Sequence, residues 1–247
     1  MLRAIQRLGL NQDDVVMVTG IGCSGFIYNY LNFDGFHGTH GRALAVATGI
    51  KLANPRLHVI VPMGDGDCAA IGGNHLIHAA RRNIDLTAIV INNQTYGMTG
   101  GQYSPTTPHD GLAATAPYGN VERPFDLCQV AQGAGASYVA RGTTYHVLQL
   151  ERLIVAAIEH KGFSFVEVVS QCPVQYGRRN QLPSAVDMLR WQQRHTVSPQ
   201  VAASLSPEQL KDKVVTGELY SREAPEEEYT YRYRQLVERA QGRAVHE

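Results

Sequence analysis

The chain has 247 residues, which is long enough for one large α/β domain with a hydrophobic core. Its 22 lysines and arginines balance its 22 aspartates and glutamates, so charge gives no reason to expect binding to nucleic acid or to an acidic membrane. No stretch approaches the ~18 consecutive apolar residues of a membrane helix, and MLRAIQRLGL lacks the apolar core of a signal peptide, so we expect a cytoplasmic protein.

Helices and strands alternate from the N-terminus onward. The spacing of apolar residues predicts a helix over Leu2–Leu8 and then a buried strand over Val15–Val18. A helix of small residues follows at Ala43–Ala53, and the next strand runs from His58 to Pro62. The first helix has no capping residue before it, which predicts that further sequence precedes Met1.

The same alternation continues through the middle of the chain. Apolar spacing predicts a helix at Ile71–Arg82, and a β-branched run predicts a central strand at Leu86–Ile91. The later predicted elements are a helix at Phe125–Gly133, a strand at Ser137–Ala140, a helix at His146–His160 and a strand at Phe163–Val169. This order predicts an α/β fold, a twisted parallel sheet with helices on both faces.

The alternation stops near Trp191. The last residues, 221–247, are rich in charge and contain one plausible helix. We therefore divide the chain into an α/β domain, residues 1–190, and a C-terminal extension, residues 191–247. The extension is either a solvated tail or an arm that lies on a partner.

The most informative stretch runs from Met63 to Asn93. Gly64-Asp65-Gly66-Asp67 follows one strand, and Asn92-Asn93 follows the next. Because the carboxyl ends of parallel strands meet at one edge of a sheet, Asp65 and Asn93 are expected to come together there. A carboxylate and an amide oxygen near a helix N-terminus suit Mg²⁺ that carries a phosphorylated ligand.

Three neighbouring segments add to this predicted site. The glycine-rich loop after the first strand, residues 20–25, allows a ligand to approach the backbone, although it reads equally as a tight turn. His37 and His40 precede a helix and suit hydrogen bonds to a phosphate, although each alone is often structural. The polar loop over residues 94–108 is too long for a simple connection, so we expect it to fold over a ligand.

The chain has four cysteines, and none of them are paired at the spacing of a zinc knuckle. Each is as readily a small buried apolar residue as a ligand. Cys23 and Cys172 fall at the carboxyl ends of predicted strands, beside the predicted site. Cys68 falls at the start of the helix predicted after GDGD and Cys128 within a short predicted helix, and we expect both only to pack.

Several motifs together resemble one enzyme family across most of residues 1–190. They are GIGCSG, HGTHGRALAVATGIKLA, GDGDCAAIGGNH, INNQTYGMTGGQYSPTTP and a late Cys-Pro. The chain is similar to the β subunits of 2-oxoacid:ferredoxin oxidoreductases, and TGGQYSPTT most resembles those that act on 2-oxoglutarate. The resemblance implies a thiamine diphosphate-binding fold. It also implies oxidative decarboxylation to succinyl-CoA and CO₂, or the reverse carboxylation, with electrons passing through a [4Fe–4S] cluster to ferredoxin.

The resemblance also implies roles for individual residues. Asp65 and Asn93 would bind Mg²⁺ through their side chains and Thr95 through its main-chain oxygen. The residues implied in binding thiamine diphosphate are Gly22, Ser24, His37, His40, Gly64, Asp65, Gly66, Asp67, Asn93, Thr95, Tyr96 and Gly97. His40, Thr99 and Gln102 are the catalytic candidates, with loop scaffolding as the alternative for the last two. Cys23 and Cys172 match two of the four thiolates that hold the cluster.

Two departures from the family pattern point to groups outside this sequence. The other two cluster cysteines form a Cys-x-x-Cys in the family, and we expect this pair upstream of Met1. No glutamate precedes Glu122, so the carboxylate that activates the cofactor is expected from the α subunit, which would also help to bind coenzyme A. The expected partners are thus the α subunit, ferredoxin and the 2-oxoacid, and the C-terminal arm would cover a partner or the cluster.

Two other functions are compatible with the same residues. In the first, the chain is part of a thiamine enzyme without iron–sulfur chemistry, such as a decarboxylase or a transketolase half, and the cysteines only pack. In the second, it is an assembly subunit that retains the fold without the chemistry. The complete set of phosphate-side residues around Asp65 and Asn93 argues against the second function.

Overall fold

The computed structural model describes residues 1–182 and 184–242, and the elements named below belong to that part of the chain. The strands are β1 (Val15–Thr19), β2 (Asp34–His37), β3 (His58–Gly64), β4 (Thr87–Asn92), β5 (Thr95–Tyr96), β6 (Gln102–Tyr103), β7 (Tyr138–Thr143), β8 (Ser164–Val169), β9 (Thr196–Val197), β10 (Val214–Val215) and β11 (Gly217–Ser221). The α-helices are α1 (Leu2–Arg7), α2 (Ala43–Ala53), α3 (Asp65–Ala69), α4 (Gly73–Arg82), α5 (Leu127–Gly133), α6 (Val147–Glu159), α7 (Ala185–His195), α8 (Pro199–Ala202), α9 (Pro207–Leu210) and α10 (Tyr229–Ala240). Short 3-10 helices span Gln12–Asp14, Cys23–Tyr30 and Pro225–Glu227, and a π-helical turn spans Pro173–Gly177.

Seven of the described strands form one sheet in the order β11-β7-β8-β4-β3-β1-β2. Its pairs are parallel except for β11, which runs antiparallel to β7. The predicted parallel sheet is therefore confirmed, and the antiparallel edge strand is an addition to it. Neither edge strand was predicted because neither contains a buried apolar run: β2 is DGFH and β11 is GELYS.

Helices cover both faces of this sheet, as predicted. On β3, Val59 and Val61 point toward a core shared with α2, α4 and α5, whereas Ile60 between them points toward α1 and α6. This alternation follows from the two-residue period of a strand, and it explains why a central parallel strand is apolar throughout. The predicted bounds of the strands and of α1, α2, α5 and α6 agree with the structure to within a few residues.

The helix predicted over Ile71–Arg82 is confirmed as α4, which begins at Gly73. The stretch after β3 also contains an unpredicted short helix, α3, which begins directly at Asp65. The chain turns between them at Gly72, where a Cβ atom would lie 2.2 Å from the main-chain oxygen of Asp67. Since only glycine allows this close approach, the turn separates the two helices and leaves the GDGD segment at the sheet edge.

The C-terminal segment is partly built into the α/β fold. The predicted division between residues 190 and 191 falls inside α7, and β11 joins the central sheet. The plausible helix in the charged segment is confirmed as α10, whose N-cap Glu228 also accepts a hydrogen bond from the Asp85 main-chain N–H at 3.1 Å. Residues 243–247 of the predicted extension lie outside the described residues. A covering role for this segment stays a prediction.

Within residues 1–182 and 184–242, no helix is long and apolar enough to cross a membrane.

Candidate active site

A cavity of about 590 Å³ opens at the carboxyl ends of β1, β3 and β4. Such sheet edges are where α/β proteins bind their ligands, because the loops that leave neighbouring strands diverge there. The cavity contains most of the predicted site. The predicted residues that line it are Gly22, Cys23, Ser24, His40, Gly64, Asp65, Gly66, Asp67, Asn93, Thr95, Tyr96, Gly97 and Thr99.

Three of these residues bring oxygen atoms to one point. The end of the Asn93 amide that faces Asp65 lies 3.3 Å from Asp65 Oδ1 and 2.7 Å from the main-chain oxygen of Thr95. That end is the amide oxygen, which accepts the Thr95 main-chain N–H at 3.3 Å and also faces two further acceptors, Asp65 Oδ1 and the Thr95 oxygen. Exchanging the amide oxygen and nitrogen would give hydrogen bonds there, and a bound cation would satisfy the same atoms as they stand.

The spacing of these oxygens fits magnesium. With Mg²⁺ at 2.0–2.1 Å from each ligand in octahedral geometry, adjacent ligand oxygens are about 2.9 Å apart. The two distances around the Asn93 amide lie on either side of that value. The structure thus brings the predicted Mg²⁺ ligands Asp65, Asn93 and Thr95 together, and their role as ligands stays a prediction.

The Asp65 carboxylate is fully buried and held by hydroxyl groups. Its Oδ2 accepts hydrogen bonds from Ser104 Oγ and Thr106 Oγ1, both at 2.6 Å, which leaves Oδ1 toward Asn93. Burial raises the pKa of Asp65, and the two hydroxyls act in the opposite direction. A cation beside Oδ1 would stabilise the charged form that burial disfavours. Sequence reasoning missed Ser104 and Thr106, and their signal is the hydroxyl-rich SPTT segment of the loop.

Asp67 lines the same cavity, but its carboxylate supports a neighbouring loop. Oδ1 accepts a hydrogen bond from the Gly41 main-chain N–H at 2.6 Å and lies 2.7 Å from His40 Nδ1. Burial raises the pKa of Asp67, while the Gly41 bond and His40 lower it. Within the described part of the chain, Asp67 Oδ2 has no hydrogen-bond partner, and a Cβ at Gly20 would lie 2.2 Å from it. The glycine loop thus closes over this carboxylate.

The two predicted histidines have different positions. His40 lines the cavity, and since its Nδ1 faces Asp67 and lies 3.2 Å from the Ile21 oxygen, Nε2 is the ring nitrogen left for a ligand. His37 does not line it. Its Nδ1 lies 2.8 Å from Thr19 Oγ1 and its ring stacks on Tyr28, with centroids 4.6 Å apart. His37 thus fixes β2 to the end of β1, and its assignment to the diphosphate stays a prediction.

The loop over residues 94–108 folds back as the β5–β6 hairpin beside the cavity. Thr99 lines the cavity, but Gln102 does not, because its amide is bonded to Thr99: Thr99 Oγ1 donates to Gln102 Oε1 at 2.6 Å. Gln102 thus shapes the hairpin in this structure. Tyr96 covers Gly66, where a Cβ would lie 2.3 Å from its ring. Gly66 is required because the aromatic ring occupies the place of a side chain.

Cys23 and Cys172 meet at Gly97, as their positions at strand ends predicted. Each Sγ lies 3.5 Å from the position of a Cβ at Gly97. In the part of the chain that the structure describes, no third histidine, cysteine or acidic residue completes a ligand group with them. A [4Fe–4S] cluster needs four thiolates, so these residues fit half of such a site. Cys68 and Cys128 are buried in the core, and burial raises the pKa of both thiols.

The charged side chains that line the cavity are mainly acidic. Its described lining contains Asp65 and Asp67, with His40 as the one side chain that could become cationic on protonation, and it contains no glutamate, lysine or arginine. Glu167 lies buried below this edge and is engaged by Arg141 at 2.6 Å.

Comparisons with known proteins agree with this geometry. Residues 20–168 match the family model of the thiamine pyrophosphate enzymes, C-terminal TPP-binding domain. The chain is 48% identical over 243 residues to 2-oxoglutarate synthase subunit KorB of Methanothermobacter thermautotrophicus, covering 98% of this chain and 84% of that one. It is 53% identical over 225 residues to the KorB subunit of Methanocaldococcus jannaschii, covering 91% and 83%. The solved 2-oxoglutarate:ferredoxin oxidoreductase of Magnetococcus marinus, with 2-oxoglutarate, coenzyme A and succinyl-CoA bound, matches with a TM-score of 0.85 and 33% identity over 99% of this chain and 83% of that chain.

Proposed function

The chain belongs to the thiamine pyrophosphate enzymes and, among them, to the β subunits of the 2-oxoacid:ferredoxin oxidoreductases, and from this membership we propose that it forms the cofactor-holding half of a 2-oxoglutarate:ferredoxin oxidoreductase. The reaction joins 2-oxoglutarate and coenzyme A to give succinyl-CoA and CO₂, and it passes two electrons to ferredoxin or runs in reverse. The observation that carries the proposal is the convergence of the Asp65, Asn93 and Thr95 oxygens at the cavity.

In this proposal the cavity holds thiamine diphosphate with Mg²⁺. Asp65, Asn93 and Thr95 would hold the magnesium ion, and the glycine segments around Gly22 and Gly66 would offer backbone N–H groups to the diphosphate. His40 would offer Nε2 to the phosphate, because Asp67 holds its other nitrogen. The bound cofactor would supply the nucleophilic carbon and the electron sink for decarboxylation.

Tyr96, Thr99 and Gln102 of this chain would shape the rest of the site. Tyr96 covers Gly66 and so excludes water from one wall of the cavity. Thr99 lies on the lining and is positioned by Gln102, which makes its hydroxyl the candidate for contact with the reacting carbon, together with His40. These assignments rest on placement beside the cavity and follow the sequence prediction.

The described lining of the cavity holds no basic side chain besides His40, and this supports an α partner. We assign to that subunit the carboxylate that activates the cofactor, the cations that bind the two carboxylates of 2-oxoglutarate, and part of the coenzyme A site. Cys23 and Cys172 would be two ligands of a [4Fe–4S] cluster that passes electrons to ferredoxin. The other two ligands would come from outside the described residues. A cytoplasmic location stays a prediction.

The test is anaerobic co-expression with the α subunit and an assay of ferredoxin reduction that depends on both 2-oxoglutarate and coenzyme A. We expect activity with 2-oxoglutarate to exceed that with pyruvate, and Asp65→Ala to abolish it. Iron and sulfide analysis of the same sample separates the alternatives. A complex that binds thiamine diphosphate without iron would support a thiamine enzyme that lacks the redox step. A complex that binds neither would support an assembly subunit and contradict the proposal.

A further inference from the structure

Asn92, the residue before the proposed magnesium ligand Asn93, is buried at the end of β4 and does not line the cavity. Its side chain makes three contacts. Nδ2 donates a hydrogen bond to Glu167 Oε1 at 2.7 Å. Oδ1 accepts one from the Gln94 main-chain N–H at 3.1 Å and one from Thr106 Oγ1 at 2.9 Å.

The contact with Gln94 bears on two of the proposed ligands. Gln94 lies between Asn93 and Thr95 and has a φ of +61°, in the left-handed region that residues other than glycine seldom adopt. This turn directs the Asn93 side chain and the Thr95 carbonyl to the same point. The Asn92 oxygen stabilises the turn by accepting the N–H of its central residue.

The contact with Thr106 bears on the third ligand. The Thr106 hydroxyl lies 2.6 Å from Asp65 Oδ2 and 2.9 Å from Asn92 Oδ1, so its single proton is shared between the two oxygens in a three-centre hydrogen bond. Holding Oδ2 in this way leaves Oδ1 of Asp65 for the cation. Asn92 is thus linked by a single intermediate residue to each of the three oxygens.

Glu167 fixes which way the Asn92 amide points. An ionised carboxylate only accepts hydrogen bonds, so the amide nitrogen must face Glu167 and the oxygen must face Gln94 and Thr106. Glu167 is held in turn by Arg141, whose Nε lies 2.6 Å from Oε2 and whose Nη2 lies 2.6 Å from Asp126 Oδ1. Asp126, Cys128 and Glu167 have the spacing of a metal site, but Arg141 already supplies their cation.

We propose that Asn92 is a positioning residue for the magnesium site, oriented by Glu167 and acting through the Gln94 turn and the Thr106 hydroxyl. The proposal rests on the proposed function, because it assigns a role toward the cation that Asp65, Asn93 and Thr95 would hold. Partners outside the ligand shell commonly change metal affinity by about 10- to 100-fold when they are removed. The effect of Asn92 is expected in that range.

The test measures Mn²⁺ binding, in place of Mg²⁺, by the loss of the free Mn²⁺ signal in electron paramagnetic resonance. The sample is the complex with the α subunit and saturating thiamine diphosphate. Asn92→Ala and Thr106→Val are each expected to weaken Mn²⁺ binding about 10- to 100-fold. Thr106→Ser keeps the hydroxyl and should bind within about threefold of wild type, a rescue that general loosening of the loop would not give.

Thr87→Val is the matched control. Thr87 is a buried threonine of the same strand, and its hydroxyl donates to the Ala157 oxygen at 3.3 Å, remote from the cavity. Its loss should leave Mn²⁺ affinity unchanged. If Asn92→Ala does not fold, Asn92→Ser takes its place, with a smaller void and the same expected weakening.

Two results overturn the proposal. The first is a folded Asn92 variant that binds Mn²⁺ like wild type. The second is a folded Thr106→Val variant that binds Mn²⁺ like wild type, because the Thr106 hydroxyl is one of the two groups through which Asn92 is proposed to act. Failure of the wild-type complex to bind Mn²⁺ with thiamine diphosphate contradicts the proposed function instead, so the two failures are distinguishable.

Discussion

Gly66 offers a direct test of how the cavity wall is built. A methyl group there, in Gly66→Ala, would lie 2.3 Å from Tyr96 Cε1 and 2.4 Å from Cζ. Ordinary carbon contacts begin near 3.4 Å, so the ring has to retreat by about 1 Å. Because Tyr96 adjoins Thr95, this movement shifts a proposed magnesium ligand.

Two magnitudes follow from this displacement. Overpacking of this kind lowers the free energy of unfolding by about 1–3 kcal/mol. A displacement of about 1 Å at a reacting site lowers activity by about 10²-fold. Urea denaturation of the complex with EDTA present gives the first value without a contribution from bound cation, and the ferredoxin assay gives the second.

Gly49→Ala is the matched control, since a Cβ at Gly49 in α2 meets nothing within 4 Å. It should raise the free energy of unfolding by roughly 0.5–1 kcal/mol and leave activity unchanged. Adding Tyr96→Ala to Gly66→Ala makes room for the methyl group and should recover part of the stability. A Gly66→Ala variant with wild-type stability and activity would refute the reasoning.

Three further predictions use other parts of the structure. Cys172→Ser should lower the iron content of the anaerobically purified complex, whereas Cys68→Ser, in the core, should leave it unchanged; equal iron in both contradicts the cluster assignment. Glu167→Ala should lower the free energy of unfolding by about 3–5 kcal/mol in urea denaturation, because it leaves Arg141 buried beside only Asp126. A decrease below about 1 kcal/mol would contradict this role of Glu167. Burial lowers the pKa of His160 in the folded chain, so the unfolded chain binds this proton more tightly. The free energy of unfolding should therefore fall as pH drops through about 6.5. His160→Gln should reduce this dependence on pH, measured by denaturation at pH 5 to 8.

The sequence predicts well where local pattern and sheet geometry coincide. The apolar runs of β3 and β4 identify central strands, and parallel pairing then brings Asp65 and Asn93 to one edge without further information. Cys23 and Cys172 come together for the same reason. These features depend only on chain direction and on the period of the strands.

Features that depend on the path of a loop were not predictable. Ser104 and Thr106 reach Asp65 because the hairpin after β4 returns across the cavity. The local sequence around them does not predict these hydrogen bonds. Asn92 precedes Asn93 in the chain, and nothing in the sequence predicts its hydrogen bond to Glu167 on another strand. His37 resembled His40 in sequence, but an unpredicted edge strand directs it to Thr19.

The most direct test of the central claim is anomalous scattering from Mn²⁺ in crystals of the complex grown with thiamine diphosphate. We predict a peak about 2.1 Å from Asp65 Oδ1, from the amide oxygen of Asn93 and from the main-chain oxygen of Thr95. An Asn93 amide turned to donate its nitrogen to Asp65, with the manganese bound elsewhere, would contradict the account.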